Sequence, residues 1–285
     1  MFIFIDGKNV RPVTFHEFRI GVAETYDMLV RPEKKQAYSI YAESLDRSGF
    51  TRGTLAPEEG MEAEIPAMRP RPVRSLEDIG MGGMIGGGMD HGHGAMHMDR
   101  KPKHDPDVAG PQGPEPFTPD GNRSNVAMVI MNTRQRLAEP GIGLGDDGWR
   151  VLTYSDLASV EPQPYKSRAD REMTINITAN MERYMFSFDG KKFTEHEGPY
   201  LFRHNERLRL YLVNHTMMDH PIHLHGMWMQ LENGADKLPF KHTILVKPGE
   251  YLSALITPVE KGDWAFHCHL LYHMEGGMFQ VVRVA

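Results

Sequence analysis

The stretch DWAFHCHLLYHMEGGM, from Asp263 to Met278, decides how this chain folds and which chemistry it supports. Its first part, DWAFHCHLL, is rich in apolar and aromatic residues and predicts a β-strand. Successive side chains of a strand point to opposite faces of its sheet. His267 and His269 therefore share one face, whereas Cys268, the only cysteine of the chain, points to the other.

A second stretch, HPIHLHG, starts at His220 and shows the same alternation, which places His223 and His225 on one face of a predicted strand. Two imidazoles, one thiolate and a weak axial thioether form the donor set of a blue-copper electron-transfer site. The two stretches together supply such a set. Its predicted members are His220, Cys268, His273 and Met278.

The paired histidines predict a second, imidazole-only metal centre on the opposite face of the same strand, formed by His223, His225, His267 and His269. Because Cys268 lies between two of these histidines in the chain, few covalent bonds separate the two centres. Zinc is an alternative metal, since Cys and His also ligate it. A further alternative is that the histidines have purely structural roles and bind no metal. A single thiolate among so many spaced imidazole and thioether groups favours copper over both alternatives.

The sequence around these motifs predicts a β-sandwich. Short runs of β-branched and aromatic residues, separated by turn residues, recur from residue 171 onward with almost no helical periodicity. The runs are EMTINITAN, YMFSFDG, RLRLYLVNH, PIHLHGMWMQL, HTILVKPGEYLSALITP, DWAFHCHLL and GMFQVVRV. We therefore predict an all-β, Greek-key β-sandwich that forms a complete C-terminal domain over residues 122–285.

Residues 1–74 contain about four further strand-like runs, which are FIFID, FHEFRIGV, TYDMLVRP and AYSIYAES. So few strands do not close a sandwich, and we expect a partial domain. Residues 75–121 are dominated by Gly, Met, His and Pro and predict a disordered linker. The linker has two open interpretations, a copper-recruiting arm or a plain flexible connection. Its soft donors are Met81, Met84, Met89, His91, His93, Met96, His97 and Met98.

The composition excludes several classes of function. A net charge of −6 with dispersed basic residues does not suit nucleic-acid binding, and a single cysteine excludes an intramolecular disulfide. No run of about 20 apolar residues predicts a membrane span. The opening MFIFIDGKNV has no signal-peptide pattern and suggests a fragment of something longer. The remaining isolated histidines predict structural or surface roles; they are His16, His196, His204, His215 and His242.

The two histidine motifs closely resemble the C-terminal copper motifs of the multicopper oxidases. HPIHLHG matches the family pattern H-P-x-H-L-H-G, and HCHLLYHMEGGM matches H-C-H-x3-H-x3-G-M. With NMERYMFSFDG, AETYDMLVRP and the Met/His-rich linker, the sequence looks like the bacterial copper-resistance protein A type of these oxidases. The resemblance covers nearly the whole chain and implies a cupredoxin-like fold for the sandwich and for the partial domain.

The resemblance implies a role for each matching residue. His220, Cys268, His273 and Met278 match the type 1 copper site, His223 a type 2 ligand, and His225, His267 and His269 type 3 ligands. In such oxidases the type 1 copper receives electrons one at a time, and a trinuclear cluster uses them to reduce O2 to water. The implied substrate is Cu(I), with phenol-like donors as a further class, and the implied location is the periplasm.

The sequence departs from the family in one respect. The resemblance implies a cluster of eight histidines, and only half of these have matching positions here. The others belong to H-W-H-G and H-x-H motifs; His91 and His93 form an H-x-H, but in the Gly-rich linker and without the tryptophan. We expect a separate N-terminal oxidase half or a neighbouring subunit to supply them. The alternative is an electron-transfer or copper-sequestering module without oxidase activity.

Overall fold

The computed structural model describes residues 2–32, 34–81, 113–119, 123–165 and 168–285. Over these ranges the regular secondary structure is almost entirely β-strand, with one α-helix of five residues. The strands of the first part are β1 (Phe2–Ile5), β2 (Lys8–Val13), β3 (Glu17–Phe18), β4 (Tyr26–Met28), β5 (Tyr38–Glu43), β6 (Phe50–Leu55) and β7 (Val151–Leu152). Most of the predicted linker lies outside the described residues.

The second part of the chain contains the strands that surround the histidine motifs. They are β8 (Arg171–Asn180), β9 (Met185–Phe188), β10 (Tyr200–Phe202), β11 (Leu208–Asn214), β12 (His220–Leu224), β13 (Met229–Leu231), β14 (Phe240–Lys241), β15 (Thr243–Val246), β16 (Tyr251–Ile256), β17 (Gly262–Cys268) and β18 (Phe279–Val284). Helix α1 (Leu271–Glu275) lies between β17 and β18. Short 3₁₀ turns occupy Arg123–Asn125, Tyr154–Asp156 and Phe193–Glu195.

These strands form two sheets that pack face to face. One sheet has the order β10-β18-β17-β12-β15, and the other β14-β13-β16-β11-β8-β9. Alternate residues of both sheets, such as Ile222 and Phe266 from one and Ile175 and Leu210 from the other, are buried in a common core. Burying these apolar faces against each other is the main driving force for a sandwich. The prediction of an all-β, cupredoxin-like fold is confirmed.

The first strands are attached to the sandwich by backbone pairing and a small core. β3 pairs in parallel with β7, and Val10 forms a β-bridge with Ser159. Ile5 and Val10 are buried together with Leu152 and Leu157. The segment before residue 30 and the segment around residue 155 therefore share one hydrophobic cluster.

A buried charge cluster lies at the same junction. The ammonium group of Lys241 lies 3.0 Å from Oδ2 of Asp6 and 2.9 Å from Oε1 of Glu24, and all three side chains are essentially inaccessible to solvent. The hydroxyl of Tyr154 also donates to Glu24, at 2.5 Å. Buried charges persist only where such partners compensate their lost hydration. No helix within the described ranges is long and apolar enough to cross a membrane.

Candidate metal centre

The register between β12 and β17 sorts the motif residues onto two faces of the five-stranded sheet. Ile222 lies opposite Cys268, and His223 lies opposite His267. Because side chains alternate, Cys268 points into the core together with Ile222, whereas His223 and His267 occupy the outer face. His220 is two residues from Ile222 and faces the core as well; it is fully buried. The sheet thus separates two groups of donor atoms.

The core-facing group brings together His220, Cys268 and His273, all buried. Sγ of Cys268 lies 3.7 Å from Nδ1 of His220 and 3.7 Å from Nδ1 of His273, and the two nitrogens are 3.1 Å apart. A point equidistant from these three atoms lies about 2 Å from each, close to a metal–imidazole bond length. Two imidazoles and one thiolate around such a point are a donor set that suits copper.

Met278 is fully buried in the same core as Cys268. Backbone hydrogen bonds fix its position, since the N–H of Cys268 donates to the carbonyl of Met278 and the N–H of Met278 donates to that of His273. The preceding residue must be glycine. Gly277 has φ +123°, and a Cβ there would lie 2.6 Å from the carbonyl oxygen of Phe186. The GGM ending of the motif therefore reflects close backbone packing against β9.

The protonation states of this group suit metal binding. Burial lowers the pKa of His220 well below its usual value, assisted by the neighbouring His273, and burial lowers the pKa of His273 to about 4. Both imidazoles are therefore neutral at pH 7, as metal ligation requires. Burial raises the pKa of Cys268 to about 12. A metal would displace the thiol proton, because coordination stabilises the thiolate.

The orientation of His220 is set by a hydrogen bond on its other nitrogen. Nε2 of His220 lies 2.7 Å from Oγ1 of Thr216, which leaves Nδ1 directed at Cys268. The loop that carries Thr216 is itself held by Asn214, whose Nδ2 donates to the carbonyls of Val246 and Lys247 and whose Oδ1 accepts from the N–H of Thr216. Such outer contacts fix ligand geometry and tautomer.

The outer face gathers the other four motif histidines. The ring of His223 lies 4.4 Å from that of His225 and 5.6 Å from those of His267 and His269, measured between centroids. Nε2 of His225 and Nε2 of His267 approach to 3.1 Å. Burial lowers the pKa of His223 to about 4, so this imidazole is neutral at pH 7. The outer face is therefore a cluster of four imidazole side chains.

Hydrogen bonds orient two of these rings. Nδ1 of His223 donates to the carbonyl of His242 at 2.8 Å, and Nδ1 of His267 donates to the carbonyl of Cys268 at 3.0 Å. With Nδ1 donating, the other nitrogen of each ring, Nε2, carries no proton and has the lone pair that a metal ligand requires. His225 is exposed, and it precedes Gly226, whose φ is +73° and whose Cβ would lie 2.3 Å from the indole of Trp264. The close approach of the Trp264 indole therefore requires a glycine at position 226.

The structure adds residues that the sequence did not single out. His242, predicted to have a structural or surface role, has its ring 5.1 Å from that of His223 in an edge-to-face contact. The carboxylate of Asp6 accepts from the backbone N–H of His242 at 3.2 Å, which ties the first strand to the outer face. Neither relation has a local sequence signal, because the partners are distant in the chain. Of the linker donors, the structure describes Met81; the others lie outside the described residues.

The chain is similar to several known proteins. A multicopper oxidase family model matches residues 168–285. The copper resistance protein A homolog of Pseudomonas syringae pv. tomato is 44% identical over 98% of this chain and 49% of its own length. Copper resistance protein A of Escherichia coli is 44% identical over 98% of this chain and 51% of its own length. Among solved structures, the McoA multicopper oxidase of Aquifex aeolicus aligns with a TM-score of 0.38 at 23% identity, over 44% of this chain and 32% of that one.

The chain belongs to the multicopper oxidase family. Within that family it is of the copper-resistance protein A type. The chain spans about half the length of the copper-resistance relatives it matches.

Proposed function

We propose that this chain is a copper-binding multicopper oxidase polypeptide of copper resistance. It would accept electrons from Cu(I), or from phenol-like donors, at a type 1 copper and contribute ligands to a trinuclear cluster that reduces O2. The observation that carries the proposal is the buried triangle of His220 Nδ1, Cys268 Sγ and His273 Nδ1, whose edges of 3.1 to 3.7 Å suit one copper ion.

At the core-facing site, His220, Cys268, His273 and Met278 would hold the copper. A copper bound there supplies one-electron redox chemistry. The protein keeps the imidazoles neutral, excludes water from the donors and holds His220 through Thr216. Such a preorganised, dry shell limits the rearrangement that accompanies a change of metal charge.

On the outer face, His223 would be a type 2 ligand, and His225, His267 and His269 would be type 3 ligands. The two sites are joined through Cys268, which neighbours His267 and His269 in the chain and whose carbonyl accepts a hydrogen bond from His267. Cys268 is thus a short covalent and hydrogen-bonded connection between the two groups of donors. His225 is exposed and His223 and His269 are half-buried, so this face is open to further ligands, which we propose come from an N-terminal oxidase half or a neighbouring subunit.

Cu(I) is the proposed substrate because the relatives are named for copper resistance and because soft thioether donors lie close to His220 in the chain. Met217 and Met218 lie three and two residues before His220 in the chain, and Met217 is exposed. Their thioethers are soft donors, which suit Cu(I). Cu(I) bound by such thioethers would be oxidised by one electron, and a periplasmic location fits this role. The linker methionines and histidines would serve as a copper-recruiting arm.

The alternative is a cupredoxin-type electron-transfer or copper-sequestering module, favoured because the core supplies a full blue-copper donor set whereas the outer face supplies only four of the eight histidines of a trinuclear cluster. Copper stoichiometry with an absorption spectrum separates the two. A module alone gives a thiolate-to-copper blue band, whereas an assembled oxidase adds a near-ultraviolet type 3 shoulder and O2 consumption. Absence of a blue band after copper loading would overturn both functions. If the copper-loaded chain has a blue band but consumes no O2 even when the missing ligands are supplied, the oxidase function is excluded and the electron-transfer or copper-sequestering module is supported.

A further inference from the structure

A pair of aromatic rings leads from the protein surface to the core-facing site. Phe186, on β9, stacks on the imidazole of His273 with a centroid separation of 3.9 Å and an interplanar angle of 21°. Tyr184 contacts Phe186 edge to face at 5.2 Å and 88°. Phe186 is fully buried, whereas Tyr184 is 52% exposed. The three rings therefore form a continuous π contact between solvent and a copper ligand.

The ligands themselves are closed to solvent. His220, Cys268 and Met278 are fully buried, and His273 is 3% exposed. A donor that does not bind the copper directly must pass its electron through groups that cover these ligands. Contacting rings carry an electron more readily than an open gap, because their π orbitals lie close to each other. Phe186 covers the face of His273 and supplies such a contact.

The backbone at Tyr184 is unusual for an exposed aromatic residue. Its φ is +51°, in the left-handed region that glycine, asparagine and aspartate occupy most easily. A tyrosine is retained there at a conformational cost, in a turn where a smaller residue would fold more easily. Costs of this kind concentrate at functional positions. In this conformation the ring of Tyr184 rests against Phe186 while its other edge faces solvent.

We propose that Tyr184 and Phe186 form the electron-transfer path into the copper held by His273. One electron leaves an outer-sphere donor at the exposed ring of Tyr184 and arrives at the copper, so that Cu(II) becomes Cu(I) and the donor is oxidised by one electron. No bond forms or breaks and no proton moves. The inference rests on the proposed function, in that a copper occupies the core-facing site. Tyr184 and Phe186 act as positioning residues, since they reach the copper through His273.

The test measures how fast hexaammineruthenium(II), an outer-sphere one-electron reductant, bleaches the blue band of the copper-loaded chain in stopped flow. Tyr184→Leu should bleach severalfold more slowly, and Tyr184→Phe should match the unmodified chain because the ring is kept. Both should retain the band position and the reduction potential, since neither residue ligates copper. Tyr272→Leu is the matched control; Tyr272 is 73% exposed and lies next to His273 on α1, whereas Tyr184 reaches His273 through Phe186 on β9. It should leave the rate unchanged.

A Tyr184→Leu rate equal to that of the unmodified chain would overturn the path, and so would an equal slowing in Tyr272→Leu. Phe186→Leu extends the test to the buried ring; it should slow bleaching and also shift the reduction potential, because it removes the face stacked on His273. A blue band that bleaches at one rate in all variants refutes the path and leaves the proposed function intact. A chain without a blue band overturns both.

Discussion

The buried charge cluster offers a quantitative test of how the first strands are held to the sandwich. In Lys241→Met the ammonium group is replaced by an apolar group of similar length, so the carboxylates of Asp6 and Glu24 lose their cation. All three side chains are inaccessible to solvent, and water cannot replace the lost partner. Unfolding should therefore become easier even though the volume of the side chain is nearly kept.

The size of the effect follows from burial. Removing one partner of a buried ion pair costs about 3–5 kcal/mol, because the remaining charge stays unpaired. Both carboxylates keep other donors, namely the hydroxyl of Tyr154 for Glu24 and the N–H of Thr25 for Asp6. We therefore expect the low end of this range, about 3 kcal/mol lost from the free energy of unfolding at pH 7.

The assay is urea unfolding of the metal-free chain followed by tryptophan fluorescence. Arg11→Met is the matched control, because Arg11 also joins the first strands to the sandwich through an ion pair, with Asp236 at 2.5 Å, but the two side chains are 49% and 64% exposed. Exposed pairs contribute little, and this variant should show no measurable change. A loss below about 1 kcal/mol in Lys241→Met, or the same loss in both variants, would refute the argument from burial.

Three further outcomes are expected. Cys268→Ser should lose the blue band, because a hydroxyl replaces the thiolate poorly, whereas Met278→Leu should keep the band and shift the reduction potential. A blue band in the Cys268→Ser variant would contradict the assignment of Cys268 as a copper ligand. Burial lowers the pKa of His215 from 6.5 to about 4. Between pH 6.5 and pH 4 the unfolded chain binds more protons than the folded chain, so the free energy of unfolding should fall by about 3 kcal/mol as the pH falls through this window. His215→Gln should make the free energy of unfolding less dependent on pH, as measured by urea titrations at several pH values. Gly226→Ala should lower the melting temperature in calorimetry, since its Cβ would overlap the Trp264 ring; an unchanged value contradicts this packing.

The predicted strands that carry the core agree with the structure, because their alternation or apolar runs are strong. EMTINITAN corresponds to β8, and RLRLYLVNH to β11. Weakly patterned strands were not predicted. β2 has the sequence KNVRPV and β6 FTRGTL, and these polar segments are strands because a neighbour pairs with them. FHEFRIGV was predicted as a strand, yet only Glu17–Phe18 is one. Backbone pairing partners are not encoded locally.

The sequence by itself determined the donor types and their faces. The HCH and HLH triplets alternate, and on any strand this alternation places the cysteine opposite the flanking histidines. Only the tertiary structure decided which distant groups meet. His220 reaches Cys268 across 48 residues because β12 and β17 pair in one register, and a shift of one residue would turn His220 to the other face. The contacts of Asp6 with Lys241 and of Phe186 with His273 likewise arise from packing between distant segments, where burial and hydrogen-bond register, rather than local pattern, set the geometry.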